Sequence, residues 1–300
     1  MPKLLIATPA HGEVFYTPYV DSIFRLHRAL PPVGWTLSFA SISYADIAES
    51  RNFLLTHFFD KTDASHILFV DVDMGFEPQL VQEMIALNKP VVGAIAPRRA
   101  IDLKRLARIA SEGTESEQAI NRAHDYVVQT ARGRNAGRKK GFIEVDGVGA
   151  GVLLIQRGAI DQMLKKMPSL SDKGAPKHSP LARGLDRLIR AFDPITTDIG
   201  RLSEDFSFCH RWRVDCGGEI WASTNRTITH VGLHHYAGRY GDAAAPRILI
   251  GGKTAPDARA AARAGVGQGA AARGKGAMVT ARKPVTLTKG ATPKGKPVKH

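Results

Sequence analysis

Residues 65–81 read SHILFVDVDMGFEPQLV: an apolar run, Ile67 to Val70, that ends abruptly in two aspartates one residue apart, Asp71 and Asp73. A short unbroken apolar run suits a strand buried on both faces. Pro78 then sits early in the next segment, where its fixed φ suits the first turn of a helix. Outward from this stretch the same alternation repeats. KLLIATPA at the N-terminus reads as a buried strand that stops at Pro9, and residues 16–30 carry Tyr19, Ile23, Leu26 and Leu30 at helical spacing before Pro31-Pro32. WTLSFASI is a second strand, ADIAESRNFLLTHFFD a helix, and PVVGAIAP a strand after the 78–88 helix. Strands alternating with helices predict an α/β protein with a mostly parallel central sheet flanked by helices.

Two stretches break the rhythm. Residues 98–140 are polar and basic, ending in ARGRNAGRKKG, and predict an inserted helix with a mobile loop; residues 169–201 form a second irregular insert. Between them GFIEVDGVGAGVLLIQRGAIDQML predicts strand, glycine-rich turn, strand and helix. SEDFSFCHRWRVDCGGEIWASTNRTITHVG then gives a helix and a final pair of strands. Loops of this length inside a compact domain tend to be functional or disordered.

The net charge is +14, but residues 251–300 hold eleven Lys/Arg against one Asp, which leaves the first 250 residues at +4. The chain therefore divides into a folded region, 1–240, and a basic Ala/Gly/Lys/Arg-rich tail, 241–300, predicted to be disordered because it has almost no large side chains to bury. PRILIGG, at 246–252, is its one candidate strand. As a polyanion binder the tail lacks stacking groups, since residues 251–300 contain no Phe, Trp or Tyr. A weak contact with a membrane surface or a polyanion is the remaining expectation for it, and no specific nucleic acid is expected. Two cysteines, no long apolar span and no signal-peptide pattern predict a cytoplasmic location, with a peripheral position on the inner face of the membrane as the variant reading.

SHILFVDVD reads as a strand, so Asp71 and Asp73 are expected to point to the same side, since side chains alternate along a strand. The pair also falls where ligands of open parallel sheets bind, beyond the carboxyl ends of the strands. Two neighbouring carboxylates repel, and a divalent cation between them relieves this; hard oxygen ligands suit Mg²⁺ or Mn²⁺. An isolated DxD also reads as a solvated turn or a helix cap.

The order of the motifs decides between these readings. LLIATPA, ESRNFL, ILFVDVDMGFEP, GVGAGVLLIQR, SEDFSFCHRW and ITHVGLHHY follow one another over about residues 3–240 in a way that resembles the GT-A type glycosyltransferases, which move a sugar from a nucleotide-sugar with a DxD-bound metal. The resemblance implies a GT-A fold and a metal-dependent, inverting transfer of a sugar to an acceptor hydroxyl. It implies Asp73 as principal ligand of Mn²⁺ (or Mg²⁺), with Asp71 reaching the metal or the ribose, and His230 completing the metal site; His234 and His235 compete for that role. It places Asp205 as general base, with Glu204 as the lesser candidate. Thr8, Pro9, Ala10, Arg51, Asn52, Gly149, Ala150 and Gly151 would border the nucleotide-sugar.

The alternatives are a structural reading for each: an ion pair for Arg51, a tight turn for the glycines, buried core for Trp212 and Trp221. Ser203 is expected to cap the helix that carries Asp205. The acceptor is open between a glycan, a lipid-linked and a small-molecule substrate; the basic residues Arg132, Arg134, Arg138, Lys139 and Lys140 favour an anionic one. A nucleotidyltransferase is the competing enzyme class. It is disfavoured because ATPAHGEVF, after the first strand, offers no Lys or Arg to a phosphate.

Overall fold

The computed structural model describes residues 1–131, 136–174, 184–198, 200–233, 249–250 and 253–254. The chain divides into two units, Met1–His234 and His235–His300. Of the second, a two-stranded hairpin is described, Leu249–Ile250 paired antiparallel with Lys253–Thr254; the rest of the basic tail, and His234 and His235, lie outside the described residues. Among the described residues no helix is long and apolar enough to cross a membrane.

The first unit is built on one nine-stranded sheet. Its N-terminal half follows the predicted alternation: β1 (Lys3–Pro9), α1 (Thr17–Ala29), β2 (Thr36–Ile42), α2 (Ile47–Lys61), β3 (His66–Val70), a short β4 (Met74–Gly75), α3 (Pro78–Leu87) and β5 (Val91–Ala94). The first insert is more regular than its composition suggests. It contains β6 (Pro97–Ile101), α4 (Leu103–Ser111), α5 (Ser116–Ala123), β7 (His124–Tyr126), β8 (Val128–Thr130) and β9 (Arg138–Lys139). Asp102 and Glu115 cap its two helices by accepting from the backbone N–H of Arg105 and Gln118.

Then come β10 (Phe142–Val148), β11 (Val152–Gln156), α6 (Arg157–Lys166), four two-residue strands of the second insert, β12 (Ser171–Asp172), β13 (Leu188–Ile189), β14 (Thr196–Thr197) and β15 (Gly200–Arg201), and α7 (Glu204–His210). A π-helical turn (Arg211–Asp215), β16 (Ile220–Ser223) and β17 (Thr229–His230) complete the unit.

The strand order is β2-β1-β3-β11-β5-β16-β10-β8, with β9 also on β10. β1, β2, β3, β5 and β16 run the same way; β11 and β10 run against them, and β8 and β9 pair antiparallel with β10. The α/β architecture is as expected, a mostly parallel sheet flanked by helices, with β10 and β11 as its reversed strands. The path after the glycine turn at 149–151 is what sequence pattern did not resolve: β10 and β11 run the same way on either side of it, and β11 lies between β3 and β5, antiparallel to both.

Both faces of the sheet are covered, which explains the unbroken apolar runs. Ile67 and Phe69 of β3 join Leu5, Leu54, Leu55, Phe58, Ile160 and Phe208 on one side. Leu68 and Val70 join Leu4, Ile6, Leu26, Leu80 and Met84 on the other. Trp212 and Trp221 are buried in these layers. Gly93 of β5 is fixed by packing, since a Cβ there would stand 2.5 Å from Val148 Cγ1.

Candidate active site

β3 ends at Val70, so the aspartates fall in the turn after the strand and not within it. The turn is closed by Met74 N–H donating to Asp71 O (3.1 Å) and seated by Asp71 N–H donating to Gly151 O (2.9 Å). Leaving the strand breaks its alternation, and the two carboxylates separate. Asp71 faces α2, and both of its carboxylate oxygens accept from Arg51 Nη2 (2.8 Å to Oδ1 and 3.0 Å to Oδ2). Asp73 faces the insert: its Oδ2 accepts from Arg99 Nη1 (3.1 Å) and lies 3.4 Å from His230 Nε2.

Arg51 is the buried hinge of this arrangement. Its side chain is 3% exposed and is shared between Asp71 and Glu204 Oε1 (2.6 Å from Nη1). Burial opposes its charge, but the two carboxylates outweigh that and hold its pKa above the usual arginine value. Burial pushes the Glu204 carboxyl upward, and Arg51 opposes the shift. Arg51, expected either to contact a nucleotide or to form an ion pair, is engaged here in a buried ion pair. Asn52 is likewise internal: it donates to Asp193 Oδ1 (2.6 Å), accepts from Phe192 N–H (2.8 Å), and ties α2 to the second insert.

The third element of the site comes from far along the chain. β17 pairs with β4 in the register Thr229↔Gly75 and His230↔Met74, and Val231 N–H donates to Asp73 O (2.8 Å). This lays His230 beside Asp73. His230 Nδ1 donates to Pro97 O (2.7 Å), which leaves Nε2 turned to Asp73. That hydrogen bond to Asp73, together with the Pro97 carbonyl, raises the imidazole pKa.

Asp205 stands in the first turn of α7. Ser203 has the extended backbone of a helix cap, but its hydroxyl donates to Asp205 Oδ1 instead of accepting from a backbone N–H. Phe206 N–H donates to the same oxygen (2.7 Å). Asp205 Oδ2 has no partner among the described residues and borders the glycine turn, 3.5 Å from where a Gly149 Cβ would lie. A Cβ at Gly151 would stand 2.5 Å from Met74 Cε, so that glycine lets the aspartate turn pack down. Ala150 sits in the core, 1% exposed.

Thr8 and Ala10 are buried too, Thr8 Oγ1 sharing a hydrogen bond with Tyr19 Oη (2.7 Å), so these residues offer a ligand only backbone. Of the basic residues in the first insert, Arg138, Lys139 and Lys140 are exposed on β9 and its turn, while Arg132 and Arg134 lie outside the described residues. Arg99 and the Pro97 carbonyl were not singled out by the sequence; the signal available was a strand end followed by PRR.

Among the described residues no three His, Cys, Asp or Glu side chains stand at metal-binding spacing. The Asp73–His230 pair nevertheless fits two positions of a divalent-ion shell. The donor set is one carboxylate and one imidazole, and the imidazole is oriented through its other nitrogen by a carbonyl, as metal-bound histidines are. Four carboxyl groups (Asp71, Asp73, Glu204, Asp205) gather around two guanidinium groups (Arg51, Arg99), so acidic groups outnumber the guanidinium groups here. A cavity of about 480 Å³ opens behind Pro97 and Ile228. Cavities of about 620 Å³ elsewhere, one around Lys89, Trp212 and Glu219, hold none of these residues.

No protein-family model matches the chain, and no curated protein matches it in sequence. Solved structures do overlay on it. A197 from STIV is 15% identical, with 80% of this chain and 99% of that one covered at a TM-score of 0.37. A Drosophila beta-1,4-galactosyltransferase 7 mutant, in complex with manganese, UDP-Gal and xylobiose, is 15% identical over 78% of this chain and 72% of its own, at 0.39. UDP-glucose pyrophosphorylase, complexed with UDP-glucose, is 9% identical over 76% and 92%, at 0.38. Overlays this loose set no residue-by-residue correspondence, and the roles below rest on the geometry of this chain.

Proposed function

We propose that the protein is a metal-dependent glycosyltransferase that moves a sugar from a nucleotide-sugar to an acceptor hydroxyl with inversion. The observation that carries this reading is the bridge between β4 and β17, which sets His230 against Asp73 from 157 residues away in sequence, with the imidazole oriented by Pro97 O. Asp73 and His230 would hold Mn²⁺ or Mg²⁺, with Asp71 next in the turn, and Arg99 exposed enough to release Asp73. The ion, when bound, neutralises charge on the departing nucleoside diphosphate.

The chain's own residues supply the rest. Arg51 fixes the Asp71 carboxylate and the start of α7 together, so the aspartate turn and the base move as one piece. Asp205 holds its Oδ1 in two hydrogen bonds and turns Oδ2 toward the glycine turn. There it takes the proton of the acceptor hydroxyl as that oxygen bonds to the anomeric carbon and the carbon–phosphate-oxygen bond breaks. General-base assistance of this kind is worth roughly 10²- to 10⁴-fold.

The test is incubation with Mn²⁺ and a panel of UDP- and GDP-sugars. Release of nucleoside diphosphate supports the proposal. Release of pyrophosphate from a sugar phosphate and a nucleoside triphosphate would instead make the protein a nucleotidyltransferase, and no turnover of either kind would remove the reading.

A further inference from the structure

The cavity behind Pro97 has a wall chemistry of its own. It holds about 480 Å³, within the range of small-molecule sites. The first insert supplies Asn121, His124 and Tyr126; the end of β16 supplies Ser223, and the loop after it Asn225 and Thr227. Its one arginine, Arg226, is already neutralised: Nε and Nη2 both donate to the carboxylate of Glu83. Tyr126 donates its hydroxyl proton to Asn121 O (2.9 Å), which steadies the ring and leaves an oxygen lone pair. Carboxamides, hydroxyls and an aromatic ring, with no free cation among the described lining residues, suit a ligand rich in hydroxyls and without charge.

The cavity wall is also tied to both halves of the candidate centre. Ile228, in its wall, is two residues from His230, and Pro97 accepts the His230 proton. On the other side Val127 follows Tyr126 and touches the glycine turn: a Gly149 Cβ would lie 3.0 Å from Val127 and 3.5 Å from Asp205 Oδ2. We infer that this cavity binds an uncharged sugar ring of the acceptor, stacked on Tyr126 and hydrogen-bonded by Asn121 and Asn225. The inference rests on the glycosyl-transfer reading above and departs from the anionic acceptor that the basic residues of the insert suggest.

Ligand-observed NMR on the full chain tests it, with methyl glycosides of neutral hexoses, methyl glucuronide and uridine as probes. Binding of a neutral glycoside should weaken by about tenfold or more in Tyr126→Ala and hold in Tyr126→Phe. Asn121→Ala, on an exposed helix position, serves as a second variant if the first does not fold. Glu83→Gln frees Arg226 and should bring methyl glucuronide into the cavity. Unchanged binding in Tyr126→Ala and Asn121→Ala, tighter binding of glucuronide than of neutral glycosides by the parent, or displacement of the glycoside by uridine would overturn the inference. Tyr126-dependent sugar binding without any turnover of nucleotide-sugars would sink the transfer reading and leave this site standing. Turnover with Tyr126-independent acceptor use would do the reverse.

Discussion

Replacing Arg51 by methionine keeps the volume and removes the charge. The side chain is 3% exposed and makes three charge-assisted contacts, at 2.6, 2.8 and 3.0 Å, to two carboxylates that are themselves 26% and 18% exposed. Removing one partner of a buried ion pair costs about 3–5 kcal/mol, because the other charge is left uncompensated. In a folded unit of this size 1 kcal/mol moves Tm by about 2–4 °C, so Arg51→Met should melt roughly 6–20 °C lower. Arg51→Lys should fall between, since an ammonium cannot fork across Asp71. The triple variant R51M/D71N/E204Q has no stranded charge and should regain at least half the loss. Melting curves by circular dichroism read all of these. If Arg51→Met melts within about 2 °C of the parent, or the triple variant is worse than the single, the buried network is not what holds α2, the aspartate turn and α7 together.

Asp205→Asn should cut transfer by roughly 10²- to 10⁴-fold in an assay of nucleoside diphosphate release. His230→Ala and Asp73→Asn should each weaken Mn²⁺ binding, read by electron paramagnetic resonance, whereas replacing His124 should not. Gly93→Ala should destabilise by about 1–3 kcal/mol in urea melts, because its methyl would press on Val148 in the middle of the sheet. Tyr19, whose pKa burial pushes up to about 12 against the Thr8 hydrogen bond, should ionise well above the ordinary tyrosine value of about 10 in an alkaline ultraviolet titration. Its folded pKa lies above the unfolded value of about 10, so its contribution to stability is whole below pH ~10 and is lost as pH rises through about 12. Tyr19→Phe should abolish that alkaline loss.

The framework was legible because burial on both faces writes itself as apolar runs, and the helices carry their stops in Pro31-Pro32 and Asn88. Strand direction was not: β10 and β11 run the same way across the turn at 149–151, each antiparallel to its parallel-running neighbours, and β11 enters between β3 and β5 rather than beside β10. The aspartate pair was found by its position after β3. Its geometry was misjudged because β3 stops at Val70, where the apolar run ends, instead of continuing through the aspartates, and the turn that follows sends Asp71 and Asp73 to different partners. Arg51 and Asn52 were singled out by the resemblance that ESRNFL carries, but the sequence does not say that Asp71, Glu204 and Asp193 come to meet them. The insert was underestimated for a related reason: basic, glycine-containing composition hides helices capped by Asp102 and Glu115 and strands that extend the sheet.

Crystals grown with Mn²⁺ and a nucleoside diphosphate, measured at the manganese edge, would test the metal-centred account most directly. Anomalous density bonded to Asp73 and His230, with Arg99 swung off the carboxylate and phosphate oxygens on the ion, is the predicted result. Density elsewhere, with Asp73 still paired to Arg99, would contradict it.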